Sequence, residues 1–145
     1  MIIGATCGVF DLLHSGHIKM LSECKKRCDK LIVLLDSDES VRSLAKDPVR
    51  PIIGEEDRKL SLLSLDSVDE VIIFDSQEHK SNILKEINPD LFFKSRPYTR
   101  ETTLEMPQIE AQGGEVCIIE TQGHISTTAI IQKIIQSYKE VDENA

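Results

Sequence analysis

The chain has 145 residues, a length typical of one domain that buries about two-thirds of its unfolded surface. Its 25 acidic residues exceed its 17 Lys and Arg residues, and the net charge of −8 argues against a nucleic-acid partner, because neutralising phosphates requires a basic surface. No apolar run approaches the roughly 18 residues of a membrane span, so we expect a soluble protein with no membrane partner.

The first residues and the cysteines predict a cytoplasmic location. Residues 1–6 enter a strand-like pattern without the basic region and long apolar core of a secretory signal. Four cysteines in such a protein are expected to be reduced, and their spacing matches no common zinc site. Cys24 and Cys28 lie one helical turn apart, and we interpret them as small helix-packing residues.

Strands and helices alternate along the whole chain. The apolar run Leu31–Leu35 is typical of a strand covered by helices on both faces. Similar strands are predicted at residues 2–7, 31–35, 71–74, 91–93 and 116–119, and each is followed by a helical pattern. Five such units predict an α/β fold, a Rossmann-like doubly wound five-stranded parallel sheet in a single domain at 1–139, with a frayed acidic tail at 140–145.

The first loop has the pattern of a phosphate site. Residues 8–17, GVFDLLHSGH, follow a strand and open a helix, where unpaired backbone N–H groups and the helix dipole attract anions. Gly8 permits close approach of the chain, so the backbone N–H groups of Val9 and Phe10 should reach phosphate. His14 and His17 can both point into this site and donate hydrogen bonds. The alternative is one helix-capping histidine and one surface histidine.

These residues resemble the HxGH signature of the cytidylyltransferase-like nucleotidyltransferase superfamily. At the other end of the chain, residues 123–128, GHISTT, resemble the G-x-S-T-T signature of that superfamily at the start of the last helix. Between the two, residues 46–51 and Arg58 resemble a Lys-x-x-x-Arg-Pro region and downstream arginine of the adenylyltransferase domain of ADP-heptose synthases. The glycerol-3-phosphate cytidylyltransferases share both end signatures and the length, so both groups stay open.

The resemblance implies transfer of a nucleotidyl group from CTP or ATP to a small phosphorylated acceptor, with release of pyrophosphate. It implies catalytic roles for His14, His17 and Lys46, a Mg²⁺ ion that accompanies the triphosphate, no metal ligand from the protein, and a homodimer. The nucleotide and its phosphates would be bound by Gly8, Val9, Phe10, Gly16, Arg58, Lys94, Ser126, Thr127 and Thr128. Ser126 is also a candidate cap of the last helix.

Two departures from the family patterns leave the nucleotide and the acceptor open. Residues 94–98, KSRPY, stand where ADP-heptose synthases usually have Lys-Gly-x-Asp-Tyr. Glu120 stands where the glycerol-3-phosphate enzymes usually have an arginine. One alternative function is a nucleotide-binding sensor without turnover. Another is a relation to the amino-acid-activating or pantetheine-phosphate adenylyltransferases, in which the HxGH element also occurs.

Three aspartates close to these loops are left outside the predicted site. Asp11 lies inside the first signature, but an aspartate that hydrogen-bonds its own turn explains it equally well. Asp36 and Asp38 follow the second strand and could approach a ligand, yet we interpret them as residues of a strand-terminating turn.

Overall fold

The computed structural model describes residues 1–44, 49–121 and 125–144. Five strands form one sheet: β1 (Ile3–Gly8), β2 (Lys30–Asp36), β3 (Glu70–Phe74), β4 (Leu91–Ser95) and β5 (Glu115–Ile119). The described helices are α1 (Ser15–Lys25), α2 (Asp38–Leu44), α3 (Glu55–Leu63), α4 (Gln77–Ile87), α5 (Met106–Ala111) and α6 (Thr127–Asn144).

The sheet is parallel throughout, with the strand order β3-β2-β1-β4-β5. The chain therefore moves outward in one direction from β1 to β3 and in the other direction from β4 to β5. The carboxyl ends of β1 and β4 border the crevice where this direction reverses, the usual ligand site of such sheets. The predicted doubly wound five-stranded fold is confirmed.

Each face of the sheet has its own apolar core. Leu31, Val33 and Leu35 of β2 pack on one face with residues of α1 and α3, while Ile32 and Leu34 pack on the other with residues of α4 and α5. Because consecutive side chains of a strand point to opposite faces, a strand covered on both sides must be apolar at every position. The continuous apolar run in β2 follows from this geometry.

Helix α2 is missing from the sequence-based prediction, which placed only a turn after β2. Ser37 begins the helix, since its hydroxyl oxygen accepts a hydrogen bond from the backbone N–H of Ser40 at 3.0 Å. Asp38 and Glu39 occupy the first turn, where negative charges interact favourably with the helix dipole. The polar residues that were interpreted as a turn therefore form the start of a helix.

Helix α6 is longer than predicted. The acidic residues expected to fray continue the helix to Asn144, and the side chains of Gln136 and Asn144 both donate to Glu140. The helix has no buried residue, and its apolar side chains Ile135 and Tyr138 are 59% and 69% exposed. The homodimer remains a prediction, as does the division of the chain at residue 139.

The cysteines take the packing role predicted for them. All four are free thiols, and Cys24 is fully buried in the core beside α1. Its Sγ lies 3.8 Å from Sδ of Met20, and the Cys28 thiol donates to the carbonyl of Cys24. Within the part of the chain that the structure describes, no helix has the length and apolar character needed to cross a membrane.

Candidate functional site

A cleft of about 450 Å³ lies at the carboxyl ends of β1 and β4, the position predicted for ligand binding in this fold. Its walls come from the loop after β1, the first turns of α1 and α6, and the segments after β4 and β5. The lining residues are Cys7, Gly8, Val9, Phe10, His14, Gly16, His17, Lys19, Met20, Ser95, Arg96, Thr121, Ile125, Ser126 and Thr127. The cleft thus brings together most of the residues predicted from the two end signatures.

The side chains of the two histidines accept backbone hydrogen bonds at the start of helix α1. His14 is the N-cap residue, and its Nδ1 accepts a hydrogen bond from Gly16 N at 3.1 Å. His17 Nδ1 accepts from His14 N at 3.3 Å. An imidazole that accepts at Nδ1 carries its proton on Nε2 in the neutral form. Both histidines therefore accept backbone hydrogen bonds at the start of α1 and neither is a fully exposed surface residue, while their predicted contact with phosphate stays a prediction.

Burial keeps both imidazoles neutral in the ligand-free protein. It lowers the pKa of His14, and burial together with the neighbouring His14 lowers the pKa of His17 to about 4, although Asp11 opposes this shift. The two rings are stacked, with centroids 3.7 Å apart, so two positive charges would repel each other at short range. Burial and the neighbouring ring therefore both favour the neutral form of these imidazoles.

Two glycines allow the loop to fold closely around the histidines. A Cβ atom on Gly16 would lie 2.9 Å from His14 Cε1, and one on Gly8 would lie 2.8 Å from the Phe10 ring. Phe10 and Leu12 adopt positive φ angles of 50° and 52°, a conformation that non-glycine residues seldom adopt outside sites where it is held by the surroundings. Only small residues at positions 8 and 16 permit this arrangement.

Asp11 of the first signature does not hydrogen-bond its own turn, which was one of the two explanations that the sequence left open. Its buried carboxylate accepts hydrogen bonds from Ile52 N, Ile53 N and Arg50 Nε, at 2.8 to 2.9 Å, and so joins a distant segment instead of its own turn. Burial acts to raise the pKa of Asp11, but these hydrogen bonds lower it below its ordinary value. The signal in the sequence was its position as the one acidic residue of the loop at residues 8–17.

Residues of the second signature, at the start of α6, contact the loop that contains the first signature. Thr127 Oγ1 donates to the carbonyl oxygen of Asp11 at 2.7 Å, which holds the start of α6 against the loop after β1. Ser126 Oγ accepts from Ala129 N at 3.0 Å and caps the helix, as predicted. Both residues line the cleft, whereas Thr128 is exposed on the first turn and does not.

Arg58 has a different position from the one predicted. Its side chain is 1% exposed, and the guanidinium donates to carbonyl oxygens of Val9, Asp36 and Ile53 and to Asp38 Oδ1, all at 2.8 Å. A buried guanidinium engaged by these acceptors is not presented to phosphate. The structure therefore gives Arg58 the role of holding α3, β2 and the loop after β1 together, and corrects the predicted phosphate contact.

Lys94 lies beside the cleft in a second cavity of about 270 Å³, here called the polar cavity. The polar cavity is lined by Cys7, Gly8, Asp36, Leu44, Phe74, Gln77, Lys80, Lys94, Tyr98, Thr102, Leu104 and Glu105. It shares Cys7 and Gly8 with the cleft, so the two spaces adjoin at the end of β1. Sequence reasoning did not single out Lys80 or Glu105, because no motif connects them.

The two departures from the family patterns contact each other. Arg96 Nη2 lies 2.7 Å from Glu120 Oε1, and Arg96 lines the cleft. The arginine that is missing at position 120 thus has a counterpart on the neighbouring strand end. Lys46 lies outside the described residues, so its predicted role stays a prediction. Within residues 1–44, 49–121 and 125–144, no group of three or more His, Cys, Asp or Glu side chains could hold a metal ion.

Comparison with known proteins finds the same family along most of the chain. A family model described as cytidylyltransferase-like matches residues 5–133. Bifunctional protein HldE of Hyphomonas neptunium is 44% identical over 131 residues, covering 90% of this chain and 26% of that protein. The corresponding protein of Caulobacter vibrioides is 41% identical over 132 residues, covering 91% and 27%. The chain therefore spans about a quarter of the length of these relatives.

Two solved structures have the same fold as this chain. A lipopolysaccharide core biosynthesis protein from Thermoplasma volcanium superposes with a TM-score of 0.68 at 30% identity, covering 86% of this chain and 99% of that one. Pantothenate synthetase from Thermus thermophilus superposes with a TM-score of 0.61 at 11% identity, covering 84% and 56%. The second likeness, at such low identity, shows the fold alone.

Proposed function

The chain belongs to the cytidylyltransferase-like family of nucleotidyltransferases, as its two signatures predicted, and on that premise we propose that it transfers CMP or AMP from CTP or ATP to a small phosphorylated acceptor. Pyrophosphate is the second product. The observation that carries the proposal is the cleft itself: His14 and His17 present Nε2–H donors beside the start of α6. Such fixed donors suit a polyphosphate whose charge shifts during reaction.

The reaction needs no covalent bond to the enzyme. An oxygen of the acceptor phosphate attacks the α-phosphorus, a new P–O bond forms, and the bond to the bridging oxygen of pyrophosphate breaks in line with it. The electron pair of the broken bond leaves with pyrophosphate. The Nε2–H groups of His14 and His17 donate hydrogen bonds to the oxygens on which charge increases, and the fixed backbone around Gly8 and Gly16 keeps them in position.

The triphosphate is proposed to arrive as its magnesium complex, since Mg²⁺ binds readily to phosphate oxygens and water. The ion is then part of the substrate. Ser126 can donate its hydroxyl hydrogen to a phosphate while its oxygen caps α6. Lys46 is proposed to neutralise phosphate charge from its loop, on the strength of its place in the Lys-x-x-x-Arg-Pro region.

The relatives and the central segment favour one substrate pair as the first to test. Residues 46–51 resemble the adenylyltransferase domain of ADP-heptose synthases, and the Thermoplasma protein is named for lipopolysaccharide core biosynthesis. The resemblance of residues 46–51 points to ATP with a sugar phosphate. CTP with a polyol phosphate is the second pair, because the two end signatures suit it equally well.

The test is pyrophosphate release with Mg²⁺, measured for ATP and CTP separately against heptose 1-phosphate, glycerol 3-phosphate and simple phosphonates. Release that depends on one nucleotide and one acceptor is the expected result and names the reaction. Nucleotide binding without release from any pair would contradict the proposed transfer and favour the nucleotide sensor. His79→Ala, which changes an exposed imidazole paired with Asp75, serves as the matched control for variants of the cleft histidines.

A further inference from the structure

Four charged side chains line the polar cavity, and three of them have a hydrogen-bond partner among the described residues. Lys80 Nζ lies 2.7 Å from Glu105 Oε1, and these two side chains are 7% and 5% exposed. Asp36 accepts a hydrogen bond from the Ser40 hydroxyl at 2.7 Å. Lys94 Nζ lies 4.6 Å from the centre of the Tyr98 ring and makes no hydrogen bond or ion pair with the described residues. The cavity therefore contains one ammonium group with the capacity to bind an anion.

One carboxylate oxygen in the same wall also lacks a partner. Glu105 Oε2 is buried, and no other residue of the described ranges donates a hydrogen bond to it. Buried polar atoms are almost always hydrogen-bonded, because leaving one unpaired costs the desolvation energy of that atom. Here the unpaired oxygen belongs to a side chain that lines a cavity, where a ligand can supply the missing donor. The other oxygen of the same carboxylate is already held by Lys80.

The position of the polar cavity suits the acceptor of the proposed reaction. The cavity adjoins the cleft at Cys7 and Gly8, and the cleft is the proposed place of the triphosphate. The attacking oxygen must lie close to the α-phosphorus, so the acceptor has to occupy space that opens directly onto the cleft. Lys94 lies on β4 directly after Phe93, the last β4 residue that is paired with β1.

Charge decides between two kinds of donor that could reach Glu105. Lys80 already pairs with the carboxylate, so an ammonium group at Glu105 would lie beside a second positive charge. A hydroxyl group supplies a hydrogen bond without adding charge. Asp36 and Lys94 also line the cavity with opposite charges, and a phosphate or phosphonate can bind Lys94, whose ammonium group has no ion-pair partner among the described residues. The combination is an anion that carries hydroxyl groups on its carbon skeleton.

We propose that Glu105 selects the acceptor, with its Oε2 accepting a hydrogen bond from a hydroxyl group of a phosphorylated sugar or polyol while Lys94 binds the phosphate. The inference rests on the proposed function for the identity of the occupant as acceptor. It assigns a substrate contact to a residue that belongs to neither end signature. Its chemical consequence is discrimination against acceptors that have the phosphate but lack the hydroxyl groups.

Matched pairs of probes test this contact. Glycerol 3-phosphate is compared with propyl phosphate, and heptose 1-phosphate with cyclohexyl phosphate, by titration calorimetry on the whole chain and by pyrophosphate release. We expect the hydroxylated member of at least one pair to bind at least ~10-fold more tightly, since loss of a hydrogen bond to a buried charged group is strongly discriminated. In Glu105→Gln this ratio should fall to about threefold or less, because the amide replaces a charged acceptor.

Two further variants keep the test decisive. Glu101→Gln changes an exposed carboxylate of the same segment and should retain the ratio of the unmodified chain. If Glu105→Gln fails to fold, the double variant Lys80→Met with Glu105→Leu removes both charges together and leaves neither unpaired. It should bind both members of a pair with similar affinity.

Several outcomes overturn the inference. One is an unchanged ratio in folded Glu105→Gln, and another is the absence of any preference for the hydroxylated probes in the unmodified chain. A preference for 2-aminoethylphosphonate over ethylphosphonate that disappears in Glu105→Gln would assign the contact to an ammonium group instead. If pyrophosphate is released and the affinity ratio is unaltered in Glu105→Gln, the Glu105 contact is refuted and the proposed transfer is not. Intact discrimination without release from any pair refutes nucleotidyl transfer and leaves the hydroxyl contact supported.

Discussion

The cleft and the polar cavity share a wall at Cys7 and Gly8, yet they are constructed in opposite ways. Most functional groups of the cleft come from residues 8–17, and they are neutral: backbone N–H groups and imidazoles whose pKa values burial lowers. The polar cavity collects charged side chains from β2, α4, β4 and the segment before α5. The contrast shows that a short local segment supplies most of the polar groups of the cleft, whereas distant elements supply the charges of the polar cavity.

The largest expected effect concerns stability and belongs to the polar cavity. Lys80→Met leaves the buried Glu105 carboxylate without its counter-charge and should destabilise the protein by about 3 to 5 kcal/mol. Adding Glu105→Leu should recover most of that loss, since the pair is then replaced by apolar groups. Urea denaturation of both variants measures the difference. A Lys80→Met variant as stable as the unmodified chain would mean that the carboxylate finds another partner.

The next effect concerns turnover and belongs to the cleft. His17→Ala removes one fixed donor and should raise the reaction barrier by about 2 to 4 kcal/mol, a loss of roughly 30- to 1,000-fold in turnover. The fold should persist, because His17 is only partly buried and packs by its edge on Phe10. Steady-state pyrophosphate release is the measurement, with His79→Ala as control. Unchanged turnover would remove His17 from the proposed mechanism.

A smaller effect tests the close packing around His14. The added methyl group of Gly16→Ala would lie 2.9 Å from His14 Cε1 and has to displace that ring. We expect turnover to fall by about tenfold while stability changes by less than about 1 kcal/mol, since alanine favours the helix. Gly54→Ala is the matched control, because its methyl group would meet Asp38 at an ordinary 3.8 Å. Equal turnover in both variants would show that His14 need not keep its position.

The dependence of stability on pH separates the two regions. The folded-state pKa of His17 is about 4, below the ordinary value near 6.5, so the unfolded chain binds more protons between these values. Stability should therefore decline as pH falls from about 6.5 to 4.5, and this decline should be shallower in His17→Ala.

The ion pair of the polar cavity responds in a lower range. Burial acts to raise the pKa of Glu105, but the hydrogen bond from Lys80 and the charge of Lys94 lower it below the ordinary value. Its contribution is present above about pH 4.5 and is lost as pH falls through the lowered pKa. Thermal unfolding followed across both ranges measures the two contributions. A His17→Ala curve parallel to that of the unmodified chain above pH 4.5 would contradict the assignment.

Local patterns were sufficient to predict the sheet and the cleft. Leu31–Leu35 identified a strand buried on both faces, and the loop from Gly8 to His17 identified the position of the cleft, because strand periodicity and helix-terminal donors depend on neighbouring residues. Helix α2 was missed because Ser37 and Asp38 are typical of both a turn and a helix start. The burial of Val41, which follows these residues in α2, favours a helix over a turn.

The amino-acid sequence by itself determined the fold class, the family and the position of the cleft. Tertiary structure alone decided that Arg58 is a buried structural residue, that Asp11 holds Ile52 and Ile53, and that Lys80 and Glu105 form an ion pair in the polar cavity. The reason is physical. A helix start or an apolar strand is specified by residues a few positions apart, whereas the partners of a buried charge come from whichever distant segments the fold brings to it.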